Sequence, residues 1–207
     1  PGGTDMPATE LAALLAYTTA MAFTPGPNTT LSAAMAANHG LAHAMRFVFA
    51  VPFGWCLLLV LCAAGLGTLV TTVPALGTAI RVAGGMYMLW LAWKLAQRAR
   101  AALGGPSSRS ALDIGFTRGV ALQFVNGKAW INALTIAGTW IAVEGQMTAR
   151  LAWVLPIAAA YGFASNFTYA AVGAGLRQWL AQGERLLWFN RSMACVLAAT
   201  ALWMLRS

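Results

Sequence analysis

The feature that most constrains this sequence is a proline-rich break inside a long apolar run. The run covers at least residues 11–35, and residues 23–28 within it read Phe-Thr-Pro-Gly-Pro-Asn. Two prolines remove backbone donors and clash with the preceding turn, and the glycine between them permits dihedral angles that other residues avoid. In hydrocarbon, a broken backbone survives only where it is buried in protein or lines a watery cavity. The sequence therefore predicts a membrane helix that breaks at Pro25, Gly26 and Pro27 beside a cavity.

The composition agrees with a membrane protein. Of the 207 residues, 59% are hydrophobic and only 9% are charged, against roughly 25% charged residues in soluble domains. The 21 glycines and nine tryptophans are typical of glycine-rich membrane helices and interfacial aromatics. A net charge of +8 would also suit nucleic-acid binding, but the basic residues lie between apolar runs instead of on one face. We therefore predict a lipid bilayer as the environment and no nucleic-acid partner.

Six apolar segments are long enough to span the hydrocarbon core, which needs about 20 helical residues. We therefore predict an all-α membrane protein with six transmembrane helices, the first broken at Pro25-Gly26-Pro27. A short solvated connection, residues 38–46, is expected after the first helix and contains both histidines. The helices are predicted at about residues 10–37, 47–70, 76–95, 119–143, 150–175 and 187–205.

The six segments divide into two similar halves. Repeat one covers about residues 10–95 and repeat two about residues 119–206, and a polar, flexible linker at about residues 96–118 separates them. Because each half has three spans, the halves have opposite orientations, which is the inverted repeat of many transporters. The whole chain, residues 1–207, is accordingly predicted to be a single transmembrane transporter domain.

The basic residues predict the orientation. Nine of the 13 lysines and arginines flank the loops after helices 1, 3 and 5, and such loops are cytoplasmic in most membrane proteins. Both termini are therefore expected on the periplasmic or extracellular side. The nine residues are Arg46, Lys94, Arg98, Arg100, Arg109, Arg118, Arg177, Arg185 and Arg191.

A second weak point is expected in the fourth helix, where residues 123–128 read Gln-Phe-Val-Asn-Gly-Lys. Breaks near the membrane midplane are the best sequence indication of a transporter binding site. Lys128 is the only charge predicted deep in a span, and such a charge is a functional hypothesis by default. It would contact a substrate carboxylate or titrate during transport. The alternative is that its side chain snorkels to the cytoplasmic face.

Four amide side chains complete the predicted substrate-binding site together with Pro25, Gly26, Pro27 and Lys128. Each has a plainer interpretation, because asparagine commonly caps a half-helix and amides commonly bond across membrane helices. The four are Asn28, Gln123, Asn126 and Asn166.

No metal or cofactor is predicted. His39 and His43 have the spacing of a metal pair, but no acidic or thiol partner lies near them in the sequence. Cys56, Cys62 and Cys195 form neither a disulfide framework nor a metal-binding spacing. Buried thiols that act as small apolar side chains are the expected role of these cysteines.

Several motifs resemble those of the lysine exporter (LysE/RhtB) family, and the resemblance covers nearly the whole chain. The most specific is Thr-Pro-Gly-Pro-Asn at residues 24–28. Residues 91–94 and 121–126 are most similar to the subgroup that exports cysteine and O-acetylserine, and Asn166 matches an asparagine in the fifth helix of that subgroup. The other matching positions are His39-Gly40, Gly84, Tyr87, residues 90–94 and residues 123–128.

The resemblance implies six helices and efflux of amino acids across the bacterial inner membrane, driven by the proton gradient. The chain departs from the family at two places. It has Asn126-Gly127-Lys128 where the family often has Asn-Pro-Lys, and it has Trp55 where many members carry an aspartate after a glycine of helix 2. No Asp or Glu remains well inside a predicted span, so the usual carboxylate relay has no candidate.

The sequence therefore predicts a secondary transporter that exports small neutral amino acids or their derivatives, and no enzyme. Two alternatives remain, a membrane scaffold without transport and a small intramembrane enzyme. An enzyme needs a nucleophile with a base at matched depth, and Cys56 and Cys62 share a helix that has no deep histidine. The identity of the amino acid, the coupling ion and assembly into a homo-oligomer are left open.

Overall fold

The first helix break separates two helices. The computed structural model describes residues 6–101 and 113–206, and its first helices are α1 (Ala8–Phe23) and α2 (Pro27–His39). The three residues between them leave the helical conformation, as the two prolines predict. Helix α2 starts with Pro27 in its first turn, where the missing N–H costs no hydrogen bond.

The connection predicted at residues 38–46 is wrong. Only Gly40 separates α2 from α3 (Leu41–Leu61), so His39 ends one helix and His43 lies inside the next. Gly40 reverses the chain in a single residue because its φ of 91° is accessible to glycine. The following leucine, alanines, methionine and arginine are good helix formers, which explains why the helix starts at once.

Helix α3 continues through a π-helical segment, Cys62–Leu66, into α4 (Gly67–Thr72), with a kink at Gly65, where φ is 113°. Helix α5 (Pro74–Ala101) is longer than the predicted span of residues 76–95. Alanine, glutamine and arginine continue its sequence, and all three favour helix. The predicted linker therefore begins later than expected, and its residues 102–112 lie outside the described part of the chain.

The fourth predicted helix is also interrupted. It consists of α6 (Phe116–Gln123), α7 (Gly127–Ile136) and a π-helical segment, Ala137–Ile141, with three non-helical residues between α6 and α7. No proline causes this second break. The Asn126 side chain instead caps α7 by accepting a hydrogen bond from the Lys128 backbone N–H at 3.2 Å.

The remaining helices are α8 (Met147–Gly175), the short α9 (Arg177–Leu180) and α10 (Arg185–Arg206). Every regular element in the described residues is helical. Four helical stretches are long and apolar enough to cross a membrane: Leu41–Thr72, Pro74–Gln97, Met147–Gly175 and Arg185–Arg206.

The second break is held by two helices that pack along each other, α5 and α10. A Cβ added at Gly84 of α5 would lie 2.0 Å from the Val125 carbonyl oxygen, so only glycine permits this approach. From α10, the Met204 sulfur accepts a hydrogen bond from the Gly127 N–H at 3.2 Å.

The buried apolar side chains form two clusters, and the helix breaks separate them. Helices α1 and α2 contribute to different clusters, and so do α6 and α7. The polar residues around the breaks therefore lie between two apolar cores. Buried members include Leu31, Phe47, Leu91 and Leu197 in one cluster and Leu14, Leu58, Ile136 and Val154 in the other.

Candidate functional site

A cavity of about 80 Å³ lies beside the two helix breaks. Helices α1, α2, α3, α7 and α8 contribute its walls, and Trp55 provides a large aromatic surface. Pro25 and Gln123 do not line the cavity. Six of the eight site residues predicted from the sequence do: Gly26, Pro27, Asn28, Asn126, Lys128 and Asn166.

Lys128 reaches from the second break to the first. Its Nζ donates a hydrogen bond to the Thr24 carbonyl at 2.6 Å. A Cβ added at Gly26 would lie 3.1 Å from Cδ and 3.3 Å from Nζ of Lys128, so the glycine leaves room for the lysine side chain. The structure thus places Lys128 in the cavity, which differs from the snorkelling alternative.

A reciprocal amide pair joins the two broken helices. Asn28 of α2 donates to Gln123 Oε1 at 2.8 Å, and Gln123 of α6 donates to Asn28 Oδ1 at 3.1 Å. Gln123 is completely buried and also donates to the Gly119 carbonyl. Gln123 therefore makes a bond across helices, as the plainer interpretation expects, and does not line the cavity. Asn28 makes the same bond and also lines the cavity.

Asn166 is also fully engaged by protein groups. Its Oδ1 accepts from the Ser32 hydroxyl at 3.0 Å, and its Nδ2 donates to the Gly162 carbonyl at 2.8 Å. Three residues further along α8, the Tyr169 hydroxyl donates to the Phe23 carbonyl at 2.9 Å. Two carbonyls at the end of α1 therefore accept from side chains, Phe23 from Tyr169 and Thr24 from Lys128.

The cavity has a positive character. Among the described residues that line it, Lys128 is the only charged one, and no carboxylate is present. Helices α2 and α7 both begin beside the cavity, and helix N-termini carry partial positive charge. The arrangement suits a small anionic group at the level of the breaks.

Among the cavity residues that sequence reasoning missed, two have unpaired oxygens, Thr18 of α1 and Asn132 of α7. Their buried oxygens, Oγ1 of Thr18 and Oδ1 of Asn132, have no hydrogen-bond partner. A signal for Asn132 existed in the sequence. It follows Lys128 by four residues, so both side chains lie on one helical face.

The ends of the molecule carry two ion pairs. Glu10 of α1 pairs with Arg150 of α8, and His43 Nε2 lies 2.9 Å from Asp113 Oδ1. Asp113 is remote from His43 in the sequence, so sequence proximity could not indicate this partner. In the described part of the chain, no cluster of three or more His, Cys, Asp or Glu residues could hold a metal ion.

The helical architecture, with a polar cavity beside two broken helices, defines a multi-pass membrane protein. The sequence model of the LysE type translocator family matches residues 19–207, which include both breaks. The chain belongs to this family. Membership in a family of translocators points away from an enzyme.

Two similar proteins carry the same name. The chain is 31% identical over 187 residues to the cysteine/O-acetylserine efflux protein of Klebsiella pneumoniae subsp. pneumoniae, covering 88% of this chain and 92% of that protein. It is 31% identical over 171 residues to the protein of the same name from Escherichia coli strain K12, covering 81% of this chain and 84% of that protein. No solved structure matches the chain.

Proposed function

We propose that this protein exports small amino acids or their derivatives from the cytoplasm across the bacterial inner membrane by secondary active transport. The observation that carries the proposal is the cavity beside the two helix breaks, with Lys128 as its only charge among the described lining residues. The relatives named as cysteine/O-acetylserine efflux proteins support this class of substrate.

The proposed architecture has six spans in two inverted repeats, about residues 10–95 and 119–206. The broken pairs α1–α2 and α6–α7 would each cross the membrane once, beside the four long apolar helices. The breaks support the repeat, since residues 24–26 and 124–126 each interrupt the first predicted helix of one half. The packing of α5 against α10, the third helix of each half, also fits a pseudo-twofold axis.

The proposed orientation places Lys94, Arg185 and Arg191 at the cytoplasmic face. Each of these cations lies over a tryptophan ring, at 3.9 Å for Lys94 on Trp90 and 5.0 Å for Arg191 on Trp188. Paired tryptophans and cations are typical of a membrane interface. A cysteine introduced at exposed Gln182, with the native cysteines removed, should resist an impermeant thiol reagent in intact cells. Ready labelling would reverse the direction of transport that we infer.

The substrate chemistry follows from the charges of the cavity. An amino acid presents a carboxylate that suits Lys128 and the N-termini of α2 and α7. The space of about 80 Å³ favours a small side chain. Because the described lining residues include no carboxylate, Lys128 is the group we propose for coupling to protons.

Transport into inverted membrane vesicles tests this function. Vesicles that contain the protein should accumulate labelled L-cysteine or O-acetyl-L-serine, and an acidic interior should increase the accumulation. Lys128→Met should abolish it, whereas Lys94→Met, which changes the other lysine of the chain, should not. Uptake that equals that of empty vesicles, over a panel of small neutral amino acids, would contradict the proposal.

The coupling role of Lys128 needs a separate variant. Arginine is bulkier than lysine and effectively always charged. Lys128→Arg should therefore insert normally but lose accumulation that depends on the pH gradient. Wild-type accumulation and pH dependence in this variant would remove Lys128 from proton coupling.

A further inference from the structure

Two unpaired oxygens in the cavity indicate a second subsite. In the described part of the chain, Oγ1 of Thr18 and Oδ1 of Asn132 are the only buried side-chain nitrogen or oxygen atoms without a hydrogen-bond partner. Both residues line the same cavity. Leaving a buried polar group unpaired is costly, and each such group in a native structure requires an explanation. A ligand in the cavity would supply the missing partner for both.

Thr18 differs from two nearby threonines, Thr19 in α1 and Thr24 just after that helix. The hydroxyls of Thr19 and Thr24 donate to backbone carbonyls four residues earlier, at 2.7 Å and 2.5 Å. This local bond is the usual way a threonine in a helix is satisfied. Thr18 is 4% exposed and its hydroxyl makes no such bond, so its oxygen is left without a protein partner.

Asn132 differs in the same way from the other asparagines. The chain has six, and all of them lie in the described residues. Five side-chain oxygens accept a hydrogen bond from another protein group, and only that of Asn132 does not. The five are Asn28, Asn38, Asn126, Asn166 and Asn190.

Two hydrogen bonds connect α1 to the segment that contains Asn132. At one end of this antiparallel contact the Trp140 indole donates to the Glu10 carbonyl at 3.2 Å, and at the other end Lys128 bonds Thr24. Along the chain, Thr18 lies between Glu10 and Thr24, and Asn132 lies between Lys128 and Trp140. Asn132 is four residues beyond Lys128, which is about 6 Å along the helix axis.

The chemistry of the cavity selects the ligand group. An ammonium needs acceptors, and the described lining residues include no carboxylate. The carbonyls of Phe23 and Thr24 already accept from Tyr169 and Lys128. In the described part of the chain, the oxygens of Thr18 and Asn132 are the buried side-chain acceptors that remain unpaired. We propose that Thr18 and Asn132 bind the α-amino group of the substrate while Lys128 binds its carboxylate. This subsite rests on the proposed function and would confine the substrates to α-amino acids with a free amino group.

The test compares ligands with and without the amino group. Equilibrium binding to the detergent-purified protein would be measured for L-cysteine and for 3-mercaptopropionate, which lacks only that group. Wild type should bind L-cysteine at least tenfold more tightly. Thr18→Val and Asn132→Leu should each weaken L-cysteine binding about tenfold, or about 1.4 kcal/mol, and leave binding of 3-mercaptopropionate unchanged. Thr19→Val, whose hydroxyl is already bonded outside the cavity, is the matched control and should behave as wild type.

A variant that gains a charge distinguishes loss of the subsite from loss of folding, because tighter binding requires a folded protein. Asn132→Asp should bind L-cysteine methyl ester, a cation, more tightly than wild type and bind 3-mercaptopropionate more weakly. Equal weakening of both cysteine and 3-mercaptopropionate in the Thr18 and Asn132 variants would overturn the subsite and assign these residues to packing. Unchanged cysteine binding in those variants would also overturn it, with the proposed function intact. Failure of wild type to bind any small amino acid would overturn the proposed function and the subsite together.

Discussion

The two helix breaks have the same form but different causes. The first lies between α1 and α2 and contains Pro25, with Pro27 starting the next helix, so local covalent structure interrupts the helix. The second lies between α6 and α7 and contains no proline. The Asn126 cap maintains it, together with the Met204 sulfur on the Gly127 N–H and the Trp130 indole on the Phe124 carbonyl. One break is therefore encoded locally, and the other depends on its neighbours in the fold.

The breaks also support each other. Lys128 from the second break satisfies the Thr24 carbonyl of the first, and the Asn28–Gln123 pair joins α2 to α6. The Thr24 carbonyl, which would be costly to expose in hydrocarbon, thus finds its partner on the other broken helix. We therefore expect the second break to be sensitive to changes in α5 and α10, and the first to be sensitive to changes in its own prolines.

The largest effect is expected from filling the space that α5 leaves for the second break. Gly84→Ala would place a Cβ 2.0 Å from the Val125 carbonyl oxygen, so α5 must move away from the break. We expect a loss of about 1–3 kcal/mol in stability, measured by thermal unfolding in detergent. Gly138→Ala, where no atom lies within 4 Å of the added Cβ, is the control. Equal unfolding temperatures for Gly84→Ala and wild type would show that the second break does not depend on this contact.

The next effect tests the local origin of the first break. Replacing both Pro25 and Pro27 with alanine should allow a continuous helix and reduce the cavity. Vesicle transport should fall at least tenfold, about 1.4 kcal/mol, with insertion preserved. Pro156→Ala, at an exposed proline inside α8, should transport normally. Unchanged transport in the double variant would separate the prolines from the mechanism.

The smallest effect concerns the cap of the second break. Asn126→Ala removes the acceptor for the Lys128 backbone N–H and should cost about 1 kcal/mol. Asn126→Ser keeps a capping oxygen and should recover most of the loss in thermal unfolding. If serine and alanine destabilise the protein equally, the cap does not maintain this break.

The sequence predicted the features that depend on residue type alone. The prolines break a helix wherever they stand in the first apolar run, and a lone lysine in an apolar span must find a polar environment, which here is the cavity. Helix boundaries were less accurate, because the one-residue turn at Gly40 depends on a positive φ.

The features that depend on tertiary pairing could not be predicted. Asn28 and Gln123 are both polar residues at depth, and nothing in the sequence says that they bond each other. Thr18 was missed for a related reason. Most threonine hydroxyls in a helix are satisfied by their own backbone, and only the packed structure shows which one is not.

The most direct test of the account asks whether Lys128 holds the carboxylate of the transported amino acid. The measurement is equilibrium binding of L-cysteine and L-cysteine methyl ester to wild type, Lys128→Met and Lys94→Met. Wild type and Lys94→Met should prefer the free acid, because the ester lacks the charge that Lys128 would pair with. Lys128→Met should lose this preference. Retention of the wild-type preference in Lys128→Met would contradict the account, since the carboxylate would then be bound elsewhere.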